Sequence, residues 1–150
     1  MEEKYMQIKI ADKSDLNGLL SLYTQLHDNK LPDIDDKLLD IWNHILSDKN
    51  HYIIICKEDN KIISSCVLII VPNLTNNQRP YALIENVVTH EDYRNKGLAT
   101  AVLEYAKKIT IDKNCYKIML MTGSKKDSTL NFYRRAGYNS EDKTAFIQWL

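Results

Sequence analysis

The sequence predicts one α/β domain with a mixed, mostly antiparallel central sheet and helices on both faces. The 150 residues are 44% hydrophobic and 27% charged, which suits one domain with a single core. Segments of helical and of strand periodicity alternate along the chain. Between residues 81 and 122 a strand, a helix and a second strand follow one another. Such a unit predicts two parallel neighbouring strands with a right-handed crossover.

The first third of the chain predicts a strand and two helices. Residues 5–10 alternate as a short strand does. Ser14 is placed to cap a helix that continues to about His27, with leucines at helical spacing. A second helix is expected at 35–47, because acids dominate its first turn, where the helix dipole favours them.

A meander of three strands follows. Residues 52–56 and 62–71 are rich in isoleucine and valine, and the polar segment 58–61 between them predicts a tight hairpin turn. After a polar loop, residues 81–90 form a further apolar run, broken by two consecutive polar residues, Glu85 and Asn86. The meander is therefore expected to be antiparallel, with the segment 81–90 as its last strand.

The remaining elements alternate between helix and strand. A long amphipathic helix is predicted from about Asn95 to Asp112, and residues 116–122 form a strand rich in isoleucine, leucine and methionine. A short helix at 128–136 should end at Gly137, a residue suited to a left-handed C-terminal cap. Residues 144–150 predict one more strand.

Composition excludes several classes of protein. The formal net charge is zero, which gives no reason to expect a nucleic-acid partner, since phosphate contacts need clustered lysine and arginine. No apolar run approaches the roughly 20 residues of a membrane span, and no basic-then-apolar leader opens the chain. We therefore expect a cytoplasmic protein without membrane or nucleic-acid partners.

Charge and cysteine distribution add two expectations. Residues 1–60 carry 12 acids and 7 bases, a balance of −5, and the rest carries 8 acids and 13 bases, a balance of +5. This asymmetry suits a cationic acceptor and a polyanionic cofactor, and two solvated faces would also produce it. Cys56, Cys66 and Cys115 lack CxxC spacing and are expected to be reduced core residues.

The loop from Arg94 to Ala99 lies where a strand leads into a helix. A helix N-terminus offers unpaired N–H groups and about half a positive charge, which together suit a phosphate. Gly97 allows the backbone to approach an anion closely, and Ala99 keeps the next turn small. The loop matches neither a Walker A nor a Gly-x-Gly-x-x-Gly pattern. Alone, it would also fit an ordinary helix start.

Two motifs together resemble the GNAT superfamily of N-acetyltransferases. The first is Arg/Gln-x-x-Gly-x-Gly/Ala, present here at residues 94–99 after a strand. The second, about 35 residues further on, is similar to the family's C-terminal Phe/Leu-Tyr-x-x-x-Gly-Phe/Tyr segment and lies at residues 132–138. The order of elements agrees over nearly the whole chain. The resemblance implies an acetyltransferase fold in one domain, 1–150, whose parallel strand pair splays apart.

The resemblance also implies a site for acetyl-coenzyme A as co-substrate. Loop amides would hold the pyrophosphate, the strand before the loop would pair with the pantetheine arm, and Asn131 could hydrogen-bond that arm. The expected cofactor-binding residues are Val87, Val88, Thr89, Arg94, Asn95, Lys96, Gly97, Leu98, Ala99 and Asn131.

Two residues are catalytic candidates under the same resemblance. Tyr133 would lie near the cofactor sulfur and donate a proton to the leaving thiolate, since tyrosine has an ordinary pKa of about 10. Glu85 could be the general base that deprotonates an amine acceptor, or a structural or substrate-contacting carboxylate. Strand alternation would place Glu85 on the face of Leu83, Val87 and Thr89. The backbone N–H of Val88 could polarise the thioester carbonyl.

Other assignments remain open. The acceptor would be a small-molecule amine or an amine of a peptide or protein, such as a polyamine, an aminoglycoside or a lysine, shaped by segments 14–47 and 72–80. A homodimer would be usual for the family. His90 is expected to be a surface loop residue rather than part of a proton path. Direct transfer is preferred to an acyl intermediate on Cys115. The histidines lack the spacing of metal ligands, so we expect no metal site. A non-catalytic acyl-coenzyme A sensor and an unrelated nucleotide-binding protein are the alternatives.

Overall fold

The computed structural model describes residues 4–27 and 29–150, which divide into two compact units, an N-terminal unit that ends at Met119 and a C-terminal unit that begins at Leu120. A five-stranded sheet has the strand order β1-β2-β3-β4-β5. The strands β1 to β4 are antiparallel to their neighbours, and β5 runs parallel to β4. The predicted mixed sheet is confirmed. Its strands are β1 Met6–Ile10, β2 His51–Glu58, β3 Lys61–Val71, β4 Tyr81–Thr89 and β5 Ile118–Leu120. The helices are α1 Leu16–Tyr23, α2 Asp36–Ser47, α3 Leu98–Asp112 and α4 Asp127–Arg135.

The start of the first helical segment differs from the prediction. Asp12, not Ser14, is the N-cap: its side chain accepts from the Ser14 N–H at 2.9 Å, and Asp15 accepts from the Asp12 N–H at 2.9 Å. This reciprocal capping box begins a 3-10 turn that runs into α1. The helix ends at Tyr23 rather than near His27, which has a left-handed backbone with φ of 53°.

Helices cover both faces of the sheet in the N-terminal unit. On one face α1 and α2 pack through Leu19, Leu22 and Trp42 onto a core that includes Ile55 and Val67. The other face carries α3, and the Cys66 thiol lies 3.7 Å from the Val102 carbonyl oxygen of that helix. All three cysteines are reduced and buried, as predicted, and burial raises the pKa of Cys66 to about 12.

A β-bulge interrupts the pairing of β3 and β4. Ser65 and Val67, two residues apart on β3, lie opposite Val88 and Glu85, three residues apart on β4. The extra residue falls at Asn86, whose φ of 49° is left-handed. Asparagine is among the few residues that adopt this conformation at low cost. The two polar residues in the apolar run therefore mark a backbone irregularity.

The C-terminal unit confirms one prediction and corrects another. Gly137, with φ of 98°, ends α4: its N–H donates to Arg134 O and the Tyr138 N–H to Tyr133 O, both at 3.0 Å. These two bonds form a Schellman cap. The predicted strand at 144–150 is wrong, because that segment has no strand pairing and its large apolar side chains are exposed. Strand propensity does not supply a partner.

Candidate functional site

The loop before α3 presents unpaired amides. Gly97 is the N-cap residue, with a left-handed φ of 78° and no side-chain cap. The first intrahelical bond runs from the Ala101 N–H to Gly97 O at 3.0 Å. The N–H groups of Leu98, Ala99 and Thr100 therefore precede the helical ladder. By contrast, carboxylates cap the turn at 13–15 and α2. The start of α3 is thus free to receive an anion.

Polar contacts fix the approach to this loop. Arg94 Nε donates to Thr89 O at 3.3 Å, which folds the loop back onto the end of β4. The Tyr93 hydroxyl donates to Glu58 Oε2 at 2.8 Å and ties the loop to the end of β2. This bond, with the nearby Lys4, lowers the pKa of Glu58. The loop is therefore braced from two strands.

A polar cleft of about 750 Å³ adjoins the loop within the N-terminal unit. Its walls come from α1, the β2–β3 hairpin and the turn at 91–93, and they include Tyr93, Glu58 and Lys61. The ammonium groups of Lys61 and Lys96 lie 5.2 and 5.1 Å from the Tyr93 ring centroid. Among the described residues neither lysine forms an ion pair. These two cations suit anionic groups bound near Gly97.

The bulge decides which face each residue of β4 occupies. Residues directly opposite each other in an antiparallel pair share a face. Glu85 and Val88, opposite Val67 and Ser65, are thus on the α1–α2 face. Thr89, opposite Ser64, lies on the other face, where its hydroxyl is 2.8 Å from that of Ser64.

The predicted surroundings of Glu85 therefore need correction. Val87 and Thr89 do not share its face, because the extra residue at Asn86 reverses the alternation beyond it. Glu85 is also exposed, so no burial penalty acts on its carboxylate. Leu83, which precedes the bulge, keeps the face it was predicted to share with Glu85.

The strand pair that would hold the pantetheine arm is unequal in length. The backbone bonds that join the segment before β5 to the β4 region involve Pro80, just before β4, and Ala82, near its beginning. β5 has three residues and β4 has nine. The Val88 carbonyl accepts from the Ser64 hydroxyl at 3.2 Å. The end of β4 that carries Val87, Val88 and Thr89 lies beyond these bonds and leads into the loop before α3.

The other two predicted site residues belong to the C-terminal unit. Tyr133 lies on α4, with its ring centroid 5.0 Å from that of Phe132 and 6.2 Å from that of Tyr138. Asn131 is exposed, and its Oδ1 accepts from Arg134 Nη1 at 3.1 Å. Edge contacts between the rings hold Tyr133 in a defined orientation within this unit.

Sequence reasoning missed a polar cluster beneath the bulge. The Tyr23 side chain of α1 has its hydroxyl oxygen buried and, among the described residues, without a hydrogen bond of normal geometry. Burial raises the pKa of Tyr23 to about 12, and the nearby side chains of Ser65 and Asn86 act to lower it. Trp42 Nε1 is a second buried polar atom without a partner. A buried hydroxyl of this kind costs about 1–3 kcal/mol.

The described residues contain neither a metal-binding cluster nor a membrane-spanning helix. No group of three or more histidine, cysteine, aspartate or glutamate side chains in residues 4–27 and 29–150 could hold a metal ion. Over the same ranges, no helix combines the length and apolar character that crossing a membrane requires.

Comparison with known proteins identifies the family. Residues 16–138 match the model of the acetyltransferase (GNAT) family, which is more than half of the chain and covers both the loop before α3 and the segment around Tyr133. The chain belongs to the GNAT family. The resemblance noted in the sequence is thereby confirmed, and the bulged strand, the uncapped helix start and α4 are parts of an acetyltransferase fold.

Individual relatives within the GNAT family agree. A glucosamine 6-phosphate N-acetyltransferase of Trypanosoma brucei brucei is 32% identical over 83 residues, which is 55% of this chain and 54% of that protein. The chain thus spans about half the length of this curated relative. A structure from Agrobacterium tumefaciens strain C58, provisionally named an acetyltransferase, is 33% identical and has a TM-score of 0.86, covering 95% and 99% of the two chains.

A third comparison concerns the fold alone. The structure of AAC(6')-Iy is 18% identical, with a TM-score of 0.79 over 97% of this chain and 99% of that one. It was solved with a bisubstrate analogue, CoA-S-monomethyl-acetylneamine. That protein accommodates a coenzyme A derivative on the same fold.

Proposed function

We propose that this GNAT protein is an N-acetyltransferase that moves the acetyl group of acetyl-coenzyme A to a primary amine. The observation that carries the proposal is the start of α3, where Gly97 adopts a left-handed backbone and no side chain caps the helix. Uncapped amides at a helix start bind phosphate groups. Acetyl-coenzyme A is the acetyl donor that brings a pyrophosphate to this position.

The chain would hold the thioester through its main chain. The loop residues Arg94, Asn95 and Lys96 bring two cations, and the amides after Gly97 would hold the pyrophosphate. The end of β4 would pair with the pantetheine arm at Val87 to Thr89, and Asn131 would add a side-chain contact. The Val88 N–H would polarise the thioester carbonyl and stabilise the oxyanion of the tetrahedral intermediate.

The amine would attack the thioester directly. A primary amine of pKa near 10 is protonated at neutral pH, so a proton must leave before attack. Glu85 is exposed beside the bulge and could accept that proton directly or through water. The thiolate leaves when the tetrahedral intermediate collapses, and Tyr133 would donate the proton that neutralises it.

The acceptor belongs to the class of primary amines. Because the trypanosomal relative acetylates glucosamine 6-phosphate, as its name states, an amino sugar is the first acceptor to test. The acidic balance of residues 1–60 also suits a polyamine or a lysine side chain. Thiol release from acetyl-coenzyme A with glucosamine 6-phosphate, sisomicin, spermidine and a lysine peptide would test the proposal. Binding without release for any amine would favour a sensor.

An isosteric pair of variants at Gly97 tests the phosphate site. Asparagine and aspartate both tolerate a left-handed backbone, and a Cβ at Gly97 meets no atom within 4 Å. The two variants therefore differ only in charge. Gly97→Asp should weaken coenzyme A binding by about 30-fold more than Gly97→Asn, as a carboxylate near a pyrophosphate repels it by about 2 kcal/mol.

Titration calorimetry with coenzyme A measures both variants. Dephosphorylated pantetheine is the control ligand, and it should bind the two variants equally because it lacks the pyrophosphate. Equal coenzyme A affinities for Gly97→Asp and Gly97→Asn would place the pyrophosphate elsewhere and remove the basis of the proposed function.

A further inference from the structure

The polar cluster beneath the β4 bulge contains a chain of hydrogen-bonding groups that the proposed chemistry has not used. It begins in the core, where the Ser65 hydroxyl donates to Ile54 O at 2.8 Å. It ends at Asn86, an exposed residue of the bulge. Tyr23 packs against the core cluster that contains Val67 and Val88, which lie at the bulge, and its buried hydroxyl is near the side chains of Ser65 and Asn86. One polar path therefore leads from the sheet interior to the surface beside Glu85.

The available donor protons fix the direction of hydrogen bonding along Ser65, Tyr23 and Asn86. Ser65 gives its only hydroxyl proton to Ile54, so its oxygen can only accept. The Tyr23 hydroxyl would then donate to the Ser65 oxygen, and the Tyr23 oxygen would accept from the Asn86 amide nitrogen. The Asn86 Oδ1 remains as the outer end of the chain. As an amide oxygen, Asn86 Oδ1 can accept a hydrogen bond from a donor group at the surface.

We propose that Tyr23 is a positioning residue that orients Asn86, so that Asn86 Oδ1 receives an N–H of the acceptor's ammonium group at the bulge. This inference rests on the proposed function for its catalytic meaning. The exposed Glu85 carboxylate, next to Asn86 in the chain, adds negative charge that favours a cation at the same place. Tyr23 does not touch the acceptor, because its hydroxyl oxygen is buried beneath the strand.

The unpartnered state of Tyr23 supports this role. A buried hydroxyl without a partner costs free energy, and the bulge leaves Asn86 in a left-handed conformation that a regular strand would avoid. When an ammonium group binds Asn86, small side-chain rotations would complete the hydrogen bonds from Tyr23 to Ser65 and from Asn86 to Tyr23. The unpartnered hydroxyl and the irregular backbone at Asn86, two features at one place, then have one functional explanation.

Steady-state kinetics separate positioning from structure. Tyr23→Phe should raise the KM for the amine that gives turnover about tenfold, with kcat and coenzyme A affinity within twofold of the wild type. Asn86→Gly, which keeps the left-handed backbone and removes the amide, should have the same effect. Tyr52→Phe removes a phenol oxygen from a half-buried tyrosine of β2 and is the matched control. An unchanged KM in both test variants would overturn the proposal.

A second measurement does not depend on turnover. Side-chain amide resonances of Asn86 can be followed by NMR while n-butylammonium or n-butyltrimethylammonium is added, two cations of equal charge of which only the first has N–H donors. We expect a shift with n-butylammonium alone, and its loss in Tyr23→Phe. Equal shifts with both cations would show that Asn86 Oδ1 does not accept from an ammonium N–H. An unchanged response of the Asn86 resonances in Tyr23→Phe would show that Tyr23 does not orient Asn86. Either result would refute the proposal. If coenzyme A fails to bind while these shifts occur, the proposed function fails and the polar chain stands.

Discussion

Tyr133→Phe should lower the turnover of acetyl transfer about 100-fold and leave coenzyme A affinity within about threefold of the wild type. A positioned general acid contributes about 10²–10⁴-fold, and only the hydroxyl is lost in this change. The phenyl ring keeps its edge contacts with Phe132 and Tyr138, so the geometry of α4 should be preserved. Thiol release under saturating acetyl-coenzyme A measures turnover, and calorimetry measures affinity.

Tyr138→Phe is the matched control for this prediction. Its ring lies 6.2 Å from that of Tyr133 in the same unit, and the change likewise removes only a phenol hydroxyl. The control should keep at least half of the wild-type turnover. If Tyr133→Phe behaves like Tyr138→Phe, the leaving thiolate takes its proton from another source, and the assignment of Tyr133 as the acid is wrong.

Asp15→Asn should reduce the free energy of unfolding by about 3 kcal/mol at pH 7. The Asp15 side chain is 1% exposed and lies 2.8 Å from Lys9 Nζ and 3.0 Å from Lys57 Nζ. Its neutralisation leaves the partly buried Lys57 without its carboxylate partner, whereas Lys9 keeps Asp12 at 2.6 Å. Burial raises the pKa of Asp15, but the Asp12 N–H and the two lysines outweigh it and lower the pKa overall. Urea unfolding followed by circular dichroism gives the difference.

The same variant makes a prediction about pH. A carboxyl whose pKa is lower in the folded chain than its ordinary value of 3.8 stabilises the protein above that value and loses its contribution as the pH falls through the folded pKa. The advantage of the wild type over Asp15→Asn should therefore be full at neutral pH and shrink below about pH 4. Asp12→Asn, which keeps a capping oxygen at an exposed position, should cost less than about 1 kcal/mol. A difference between wild type and Asp15→Asn that does not vary with pH would contradict this account.

The parts of the fold that follow local rules were predictable. Periodicity and the acidic first turn predicted α2, and Gly137 predicted the end of α4, because a left-handed residue at that position closes a Schellman cap. A helix start near Gly97 was also predicted, from about Asn95, and α3 begins at Leu98. Each of these features is decided by neighbours within a few residues in the sequence.

Features that depend on distant partners were not predictable. The segment 144–150 has the composition of a strand, but pairing requires an edge that sequence periodicity does not reveal. The position of Tyr23 beneath the bulge depends on how α1 packs against β4. The consecutive polar residues Glu85 and Asn86 were a visible sign of the bulge, since a regular half-buried strand seldom places two polar residues side by side.

The bulge at Asn86 also sets a limit on redesign of this protein. A shortened chain that lacks Val87 could pair β3 and β4 without interruption, and the sheet would become more regular. In that chain Thr89 would keep its place opposite Ser64, but Asn86 would become a regular strand residue opposite Cys66. Its side chain would then lie on the face of Ser64, away from Tyr23. Selecting variants for thermal stability alone could therefore yield a more stable protein in which Asn86 no longer lies beside Tyr23.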